Sequence, residues 1–163
     1  MDRLWAPWRM KYVAAAGASP GCVFCAALAA GDDARALIVH RGTLAFLILN
    51  AFPYASGHLM AAVNRHGCSL DEATPAELTE MMALTQRAIR ALRDTYRPHG
   101  FNVSVNQEQM AGAGVPDHLH VHIVPRWDGD TSFMTAIGDT KVLPETLETT
   151  HGRLAAALRS LDS

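Results

Sequence analysis

Three histidines at alternate positions, in the run His118-Leu119-His120-Val121-His122-Ile123-Val124, constrain this chain more than any other feature. Strict two-residue alternation predicts a β-strand, because successive side chains leave a strand on opposite faces. The three imidazoles then share one face, and Leu119, Val121, Ile123 and Val124 line the other face or the core. Neighbouring rings stand about 6.6 Å apart along such a strand. That spacing suits one histidine attacking a substrate while its neighbours hold what surrounds it. It suits three ligands of one tetrahedral zinc poorly, since Zn–N bonds of about 2.0–2.1 Å require the rings to converge. A neutral imidazole is a competent nucleophile for phosphorus, and a second imidazole can donate to the phosphoryl oxygens as charge redistributes. One exposed histidine needs no chemical explanation; three in alternation beside Pro125-Arg126 do.

The rest of the chain reads as strands and helices in a fixed order. Ala36–His40 and Thr43–Leu49 are apolar runs separated by Arg41-Gly42, which predicts a hairpin. His58–Val63 follows a Pro53/Gly57 turn as a third strand, and Phe101–Val105 alternates like the histidine run. Thr74-Pro75-Ala76-Glu77 carries an N-cap residue, a proline at the first helical position and the glutamate of a capping box. Leu78, Met81, Thr85, Ala88, Ile89, Leu92 and Tyr96 then recur at helical steps until Pro98 and Gly100. A short helix is expected after Cys25, through Leu28 to Ala30, and another from about Leu147 to Leu161. The expected class is α+β, with an antiparallel sheet of about five strands, one long helix and shorter ones on one side of it.

The 163 residues fit a single domain spanning 1–163, and 49% hydrophobic against 18% charged residues excludes wholesale disorder. A net charge of −2 argues against a nucleic-acid partner. Twelve arginines against two lysines (Lys11 and Lys141) need no more than a coding bias. No apolar run reaches the ~20 residues that would span a bilayer, which argues against a membrane partner. Val13–Ala16 after Arg3, Arg9 and Lys11 falls short of a signal-peptide core of about 7–15 residues, so the cytoplasm is expected. Three cysteines in a reducing compartment point away from a disulfide framework. Cys22-x-x-Cys25 is half of a metal site or a redox pair; it lacks the strand-then-helix context of the latter. Cys68 reads as a small buried apolar residue. His40, His99 and His151 are explained by solvated or capping positions.

His118 to Val124 match, at every position, the His-φ-His-φ-His-φ-φ signature of the histidine-triad (HIT) superfamily of nucleotidyl hydrolases and transferases. The chain resembles in particular its bacterial diadenosine polyphosphate hydrolase and phosphorylase branch. That likeness also rests on Leu4-Trp5-Ala6-Pro7-Trp8-Arg9, the Asn50–His58 segment, Arg97–Val103, Pro125-Arg126-Trp127 and Thr140–Glu145. The resemblance implies a HIT-like fold, a homodimer with a continuous sheet, and cleavage at the α-phosphate of a dinucleoside polyphosphate. His120 becomes the nucleotidylated nucleophile, and His122 and His118 complete the catalytic group. His122 contacts the α-phosphate, Asn50 the ribose, and Asn106 and Gln107 a phosphate. Gly112 and Gly114 belong to the loop that lets phosphate approach backbone amides, Trp127 packs near substrate, and His58 hydrogen-bonds within the histidine cluster. Turn and loop hydrogen bonding is the plainer reading of Asn50 and Gln107.

Zinc-bearing members of the superfamily join such a cysteine pair to a histidine after the third strand and to the first triad histidine. The matching residues are Cys22, Cys25, His66 and His118, a closed structural Zn2+ site that staples segment 1–30 to the triad strand 118–124. One position departs from the branch pattern: Glu108 stands where a glycine is usual, a carboxylate beside the expected path of the polyphosphate. Two further activities fit the motifs. One is a nucleoside phosphoramidase, sharing the same intermediate. The other is a non-catalytic protein, either binding nucleotides or holding zinc as a regulator.

Overall fold

The computed structural model describes residues 21–130 and 144–161. Leu4–Arg9 and residues 140–143, which carry part of the resemblance, lie outside the described residues. The hairpin forms as β1 (Ile38–Arg41) and β2 (Ala45–Leu49), closed by the Gly42 N–H donating to the Ala45 carbonyl at 2.8 Å. β3 (Leu59–Val63) pairs with β2. After the long helix come β4 (Gly100–Ser104) and β5 (His120–Arg126). The sheet order is β1-β2-β3-β5-β4, and every neighbouring pair is antiparallel. Among the described residues the last strand is therefore inserted between two earlier ones, and both edges of β5 are paired over His122 and Ile123.

Alternation divides the apolar residues between two faces. Leu47, Leu49, Leu59, Ala61, Leu119, Val121 and Ile123 pack with Met81, Leu84, Ala88 and Leu92 of α2 (Pro75–Tyr96) and with Leu154 and Leu158 of α3 (Leu147–Ser160). Phe46, Ile48, Met60 and Ala62 point the other way, where Phe24 of α1 (Val23–Ala29) covers them together with Ile38. The expectation that all helices share one side is corrected here. The second face is too apolar to be left to water, so α1 crosses to it.

Two boundaries also shift. β5 spans His120–Arg126 rather than His118–Val124, because the β3 ladder begins at His120 and β4 carries the pairing on to Arg126. Pro125 is accommodated there because β3 begins only opposite Ile123, leaving β4 as its one strand neighbour among the described residues. α1 starts at Val23, before Cys25, so Cys22 is its N-cap and Cys25 lies in its first turn. Among the described residues no helix is long and apolar enough to cross a membrane.

The capping box forms as the sequence predicts. The Thr74 hydroxyl accepts from the Glu77 N–H at 3.2 Å, and the Glu77 carboxylate accepts from the Thr74 N–H at 2.8 Å. The same carboxylate takes a two-pronged contact from Arg65, at 2.9 and 3.0 Å. That contact ties the start of α2 to the turn after β3, which carries His66. The Arg65 guanidinium and the Thr74 N–H hold the Glu77 carboxyl down to about 2. A folded-state pKa below the unfolded value stabilises the fold above the unfolded pKa and is lost as pH falls through the folded one. Glu77→Gln should therefore melt below wild type near pH 6, with the gap closing as pH falls from about 4.5 towards 2. Thermal unfolding of both proteins across that range checks it.

Candidate active site and metal centre

The face of β5 turned away from α2 and α3 presents His120 and His122, with their ring centroids 4.9 Å apart and their planes 78° apart. His120 is 3% exposed. Its Nδ1 lies 2.7 Å from the His118 carbonyl oxygen. A carbonyl can only accept, so Nδ1 carries the proton and Nε2 keeps its lone pair. Burial pushes the His120 pKa down, which keeps that lone pair available.

The tautomer of His122 is set from further away. The Tyr54 N–H donates to His58 Nδ1 at 3.1 Å, and the Asn50 amide nitrogen stands 3.4 Å from the same atom. A neutral His58 then holds its proton on Nε2, which faces His122 Nδ1 at 3.0 Å. His122 must accept there, so its own proton sits on Nε2. Burial, and after it the neighbouring His120, lower the His122 pKa to about 4. Near pH 7 the site thus offers a bare nitrogen from His120 beside a neutral N–H donor from His122, a pairing suited to attack on an oxyanion-bearing phosphorus. Asn50 closes the end of β2 by accepting the Phe52 N–H at 2.9 Å, and Tyr54 stacks on His58 at 5.0 Å. The sequence reading did not single out Tyr54; its place four residues before His58 in a Pro/Gly turn was the available signal.

His118 turns away from this pair. Its Nε2 contacts the Val63 carbonyl at 2.6 Å, so Nδ1 is the unprotonated nitrogen. Nδ1 lies 3.3 Å from the Cys22 sulfur and 3.8 Å from that of Cys25. Ligand atoms from Cys22, Cys25, His66 and His118 all fall within 4.8 Å of one another. A tetrahedral Cys₂His₂ centre with ordinary zinc bond lengths has ligand–ligand edges of about 3.3–3.8 Å, so the residues fit such an ion after small adjustments. The Val63 carbonyl supplies the outer hydrogen bond that orients a metal-binding imidazole. Burial, with Cys22 beside it, pushes the Cys25 thiol up, so metal capture releases a proton.

The β4–β5 ladder ends at the Ser104–His122 pair, so the connecting loop leaves the sheet beside the imidazoles. Within it the Gln107 side chain accepts from the Leu70 N–H at 3.0 Å and donates to Asp71 at 3.2 Å. This amide fastens two loops together. Glu108 has φ 67° and ψ 165°, a backbone shape that glycine alone adopts readily, and Gly112 follows at φ 82°. Asn106 is half-buried and Gly114 lies on the way to β5. Trp127 is not gathered with the imidazoles: its indole N–H points to the Tyr96 carbonyl, 3.4 Å away, at the end of α2. It follows β5 five residues beyond His122, roughly 16 Å along the strand direction.

Two outcomes follow from this geometry. Glu108→Gly should raise stability by about 1 kcal/mol by removing backbone strain, read from denaturant unfolding. The purified protein should carry about one divalent ion per chain, and the Cys22→Ser, Cys25→Ser double variant should lose it, read by elemental analysis.

The model of the HIT domain matches residues 32–129. An AP-4-A phosphorylase of Mycobacterium tuberculosis is 44% identical over 163 residues, covering 95% of this chain and 83% of that protein. An adenosine 5'-monophosphoramidase of Saccharomyces cerevisiae is 28% identical over 153 residues, covering 93% of this chain and 92% of its own. The crystal structure of a zinc-bound histidine triad family protein from Mycobacterium smegmatis superposes with a TM-score of 0.71 at 29% identity, covering 87% of this chain and 96% of that one. Together with the triad geometry, these likenesses establish that the chain belongs to the HIT family.

Proposed function

We propose that this protein cleaves dinucleoside polyphosphates such as diadenosine tetraphosphate through a nucleotidyl-His120 intermediate, and passes the nucleotidyl group to inorganic phosphate. The observation that carries the reading is the His120 Nδ1 contact with the His118 carbonyl, which leaves Nε2 as a buried lone pair. The 44% identity to a relative named as a phosphorylase supports the substrate class and the acceptor.

In the first step the Nε2 lone pair attacks the α-phosphorus, a P–N bond forms, and the P–O bond to the departing polyphosphate breaks. The His122 Nε2–H donates to a non-bridging oxygen as negative charge gathers there. His58 holds His122 in the donor tautomer, and the Tyr54 N–H holds His58. In the second step an oxygen of inorganic phosphate attacks the same phosphorus, the P–N bond breaks, and its electron pair returns to Nε2. A nucleoside diphosphate leaves; water as acceptor would give the monophosphate. Asn50 borders the ribose in this reading, Asn106, Gly112 and Gly114 border the phosphates, and Gln107 shapes the loop that carries them.

The ion is zinc in the same reading, supported by the Cys₂His₂ donor set and the zinc-bound structural relative. Cys22, Cys25, His66 and His118 hold it, and it supplies a structural cross-link with no part in bond-making. A homodimer and a cytoplasmic location complete the proposal. A phosphoramidase activity would use the same first step, and the phosphoramidase relative favours it as a second reading.

The test is incubation with α-labelled diadenosine tetraphosphate, followed by alkaline quenching. Acid-labile label should appear on wild-type protein and vanish in His120→Ala, with turnover falling at least about a thousandfold. Added phosphate should shift the product from nucleoside monophosphate to diphosphate. Label on His120→Ala, or no protein-bound label in wild type, would overturn the assignment.

A further inference from the structure

Phe24 is the one buried residue of α1, and its ring touches the two triad histidines that matter most to the fold and the chemistry. Its centroid lies 5.0 Å from that of His118 and 4.9 Å from that of His120. Phe46 backs it edge-on at 6.2 Å. The His120 imidazole is therefore contacted by Phe24 and by His122, while its Nδ1–H is held by the His118 carbonyl. Rotation about its side-chain bonds is opposed by all three.

What holds Phe24 is less secure. α1 has seven residues, no side-chain bond at its N-cap and no acidic residue in its first turn. A helix so short does not persist unaided. Among the described residues its anchors are the Phe24 ring with partly buried Ala27 and Leu28, the Arg41 guanidinium on the Leu28 carbonyl at 3.2 Å, and the two cysteines facing His118. Those cysteines flank Phe24 in the sequence Cys22-Val23-Phe24-Cys25. An ion on both thiolates fastens the backbone on either side of the ring.

We infer that Phe24 is a positioning residue that transmits occupancy of the Cys22/Cys25/His66/His118 centre to the His120 ring, keeping its Nε2 aimed for attack. The inference rests on the reading of His120 as nucleophile. Its size follows from orientation: displacing a reacting atom by about 1 Å can cost about a hundredfold in rate.

The test uses the full chain, loaded with zinc or stripped by a chelator, as wild type, Phe24→Ala and Phe24→Leu. Single-turnover labelling with α-labelled diadenosine tetraphosphate gives the rate of the first step and the half-saturating concentration. Stripping should slow wild-type labelling about tenfold or more, with half-saturation moving less than about threefold. Phe24→Ala should lose as much when loaded, and stripping it should cost less than about twofold more, because both changes remove one contact. Phe24→Leu keeps the apolar volume and should show the same lack of additivity if the alanine variant does not fold. Losses that multiply, or wild-type labelling indifferent to stripping, would overturn the inference. NMR of the histidine rings supplies a second readout. Stripping should shift the His120 ring signals in wild type and not in Phe24→Leu, and unmoved wild-type signals would refute the coupling. If those signals move while no label ever forms, the coupling stands and the nucleophile assignment fails.

Discussion

The contact between His120 Nδ1 and the carbonyl of His118 joins a side chain to the backbone two residues earlier in the same run. It decides which nitrogen of the buried imidazole is bare, and the proposed chemistry rests on that choice. The sheet keeps that contact in place. β5 is inserted between β3 and β4, and its Val121 and Ile123, with Leu119 just before it, are buried against α2 and α3. Sliding the strand by one residue would put imidazoles among the aliphatic side chains of α2 and α3 and take Ile123 out of that core, so the register is fixed by the hydrophobic effect. Apolar packing on one face thus sets the proton positions on the other.

The three triad histidines have equal spacing in sequence and unequal environments in space. His118 has its Nε2 proton on the Val63 carbonyl and its Nδ1 among sulfurs. His120 has its Nδ1 proton on backbone and its Nε2 bare. His122 is forced by His58 into the tautomer that donates outward. Each assignment follows from a partner that can only accept or only donate, so three copies of one residue present a bare Nδ1 among sulfurs, a bare Nε2 and an outward N–H without any charge on the rings.

Much of this was legible in the chain itself. Period-two alternation identified the strand, its polar face and its buried face, and Thr74-Pro75-Ala76-Glu77 fixed the start of α2 to the residue. The resemblance supplied His66 as the partner of the cysteine pair, and the ligand atoms do converge. Other features were hidden because they depend on contacts between distant segments. Alternation cannot say that β5 continues through Pro125, since that depends on where β3 begins. Nor can composition say that Gln107 spends its amide on Leu70 and Asp71, or that Trp127 leans on the end of α2. The side taken by α1 followed from the apolar content of the second face, a sum over Phe46, Ile48 and Met60 that no local window contains.

The separation of partners along the chain has a consequence for how the protein assembles. Arg65 and Glu77 meet across 12 residues, whereas Cys22 and His118 meet across 96. Closing the longer loop from an open chain costs roughly 2 kcal/mol more in entropy. The clamp at the start of α2 can therefore form within a nascent hairpin-and-helix unit, and the sulfur–imidazole cluster must wait for the last strand to thread the sheet. A cation held at that cluster cross-links the first and last parts of the sheet-forming chain, so its binding energy stabilises the finished topology and not the early clamp.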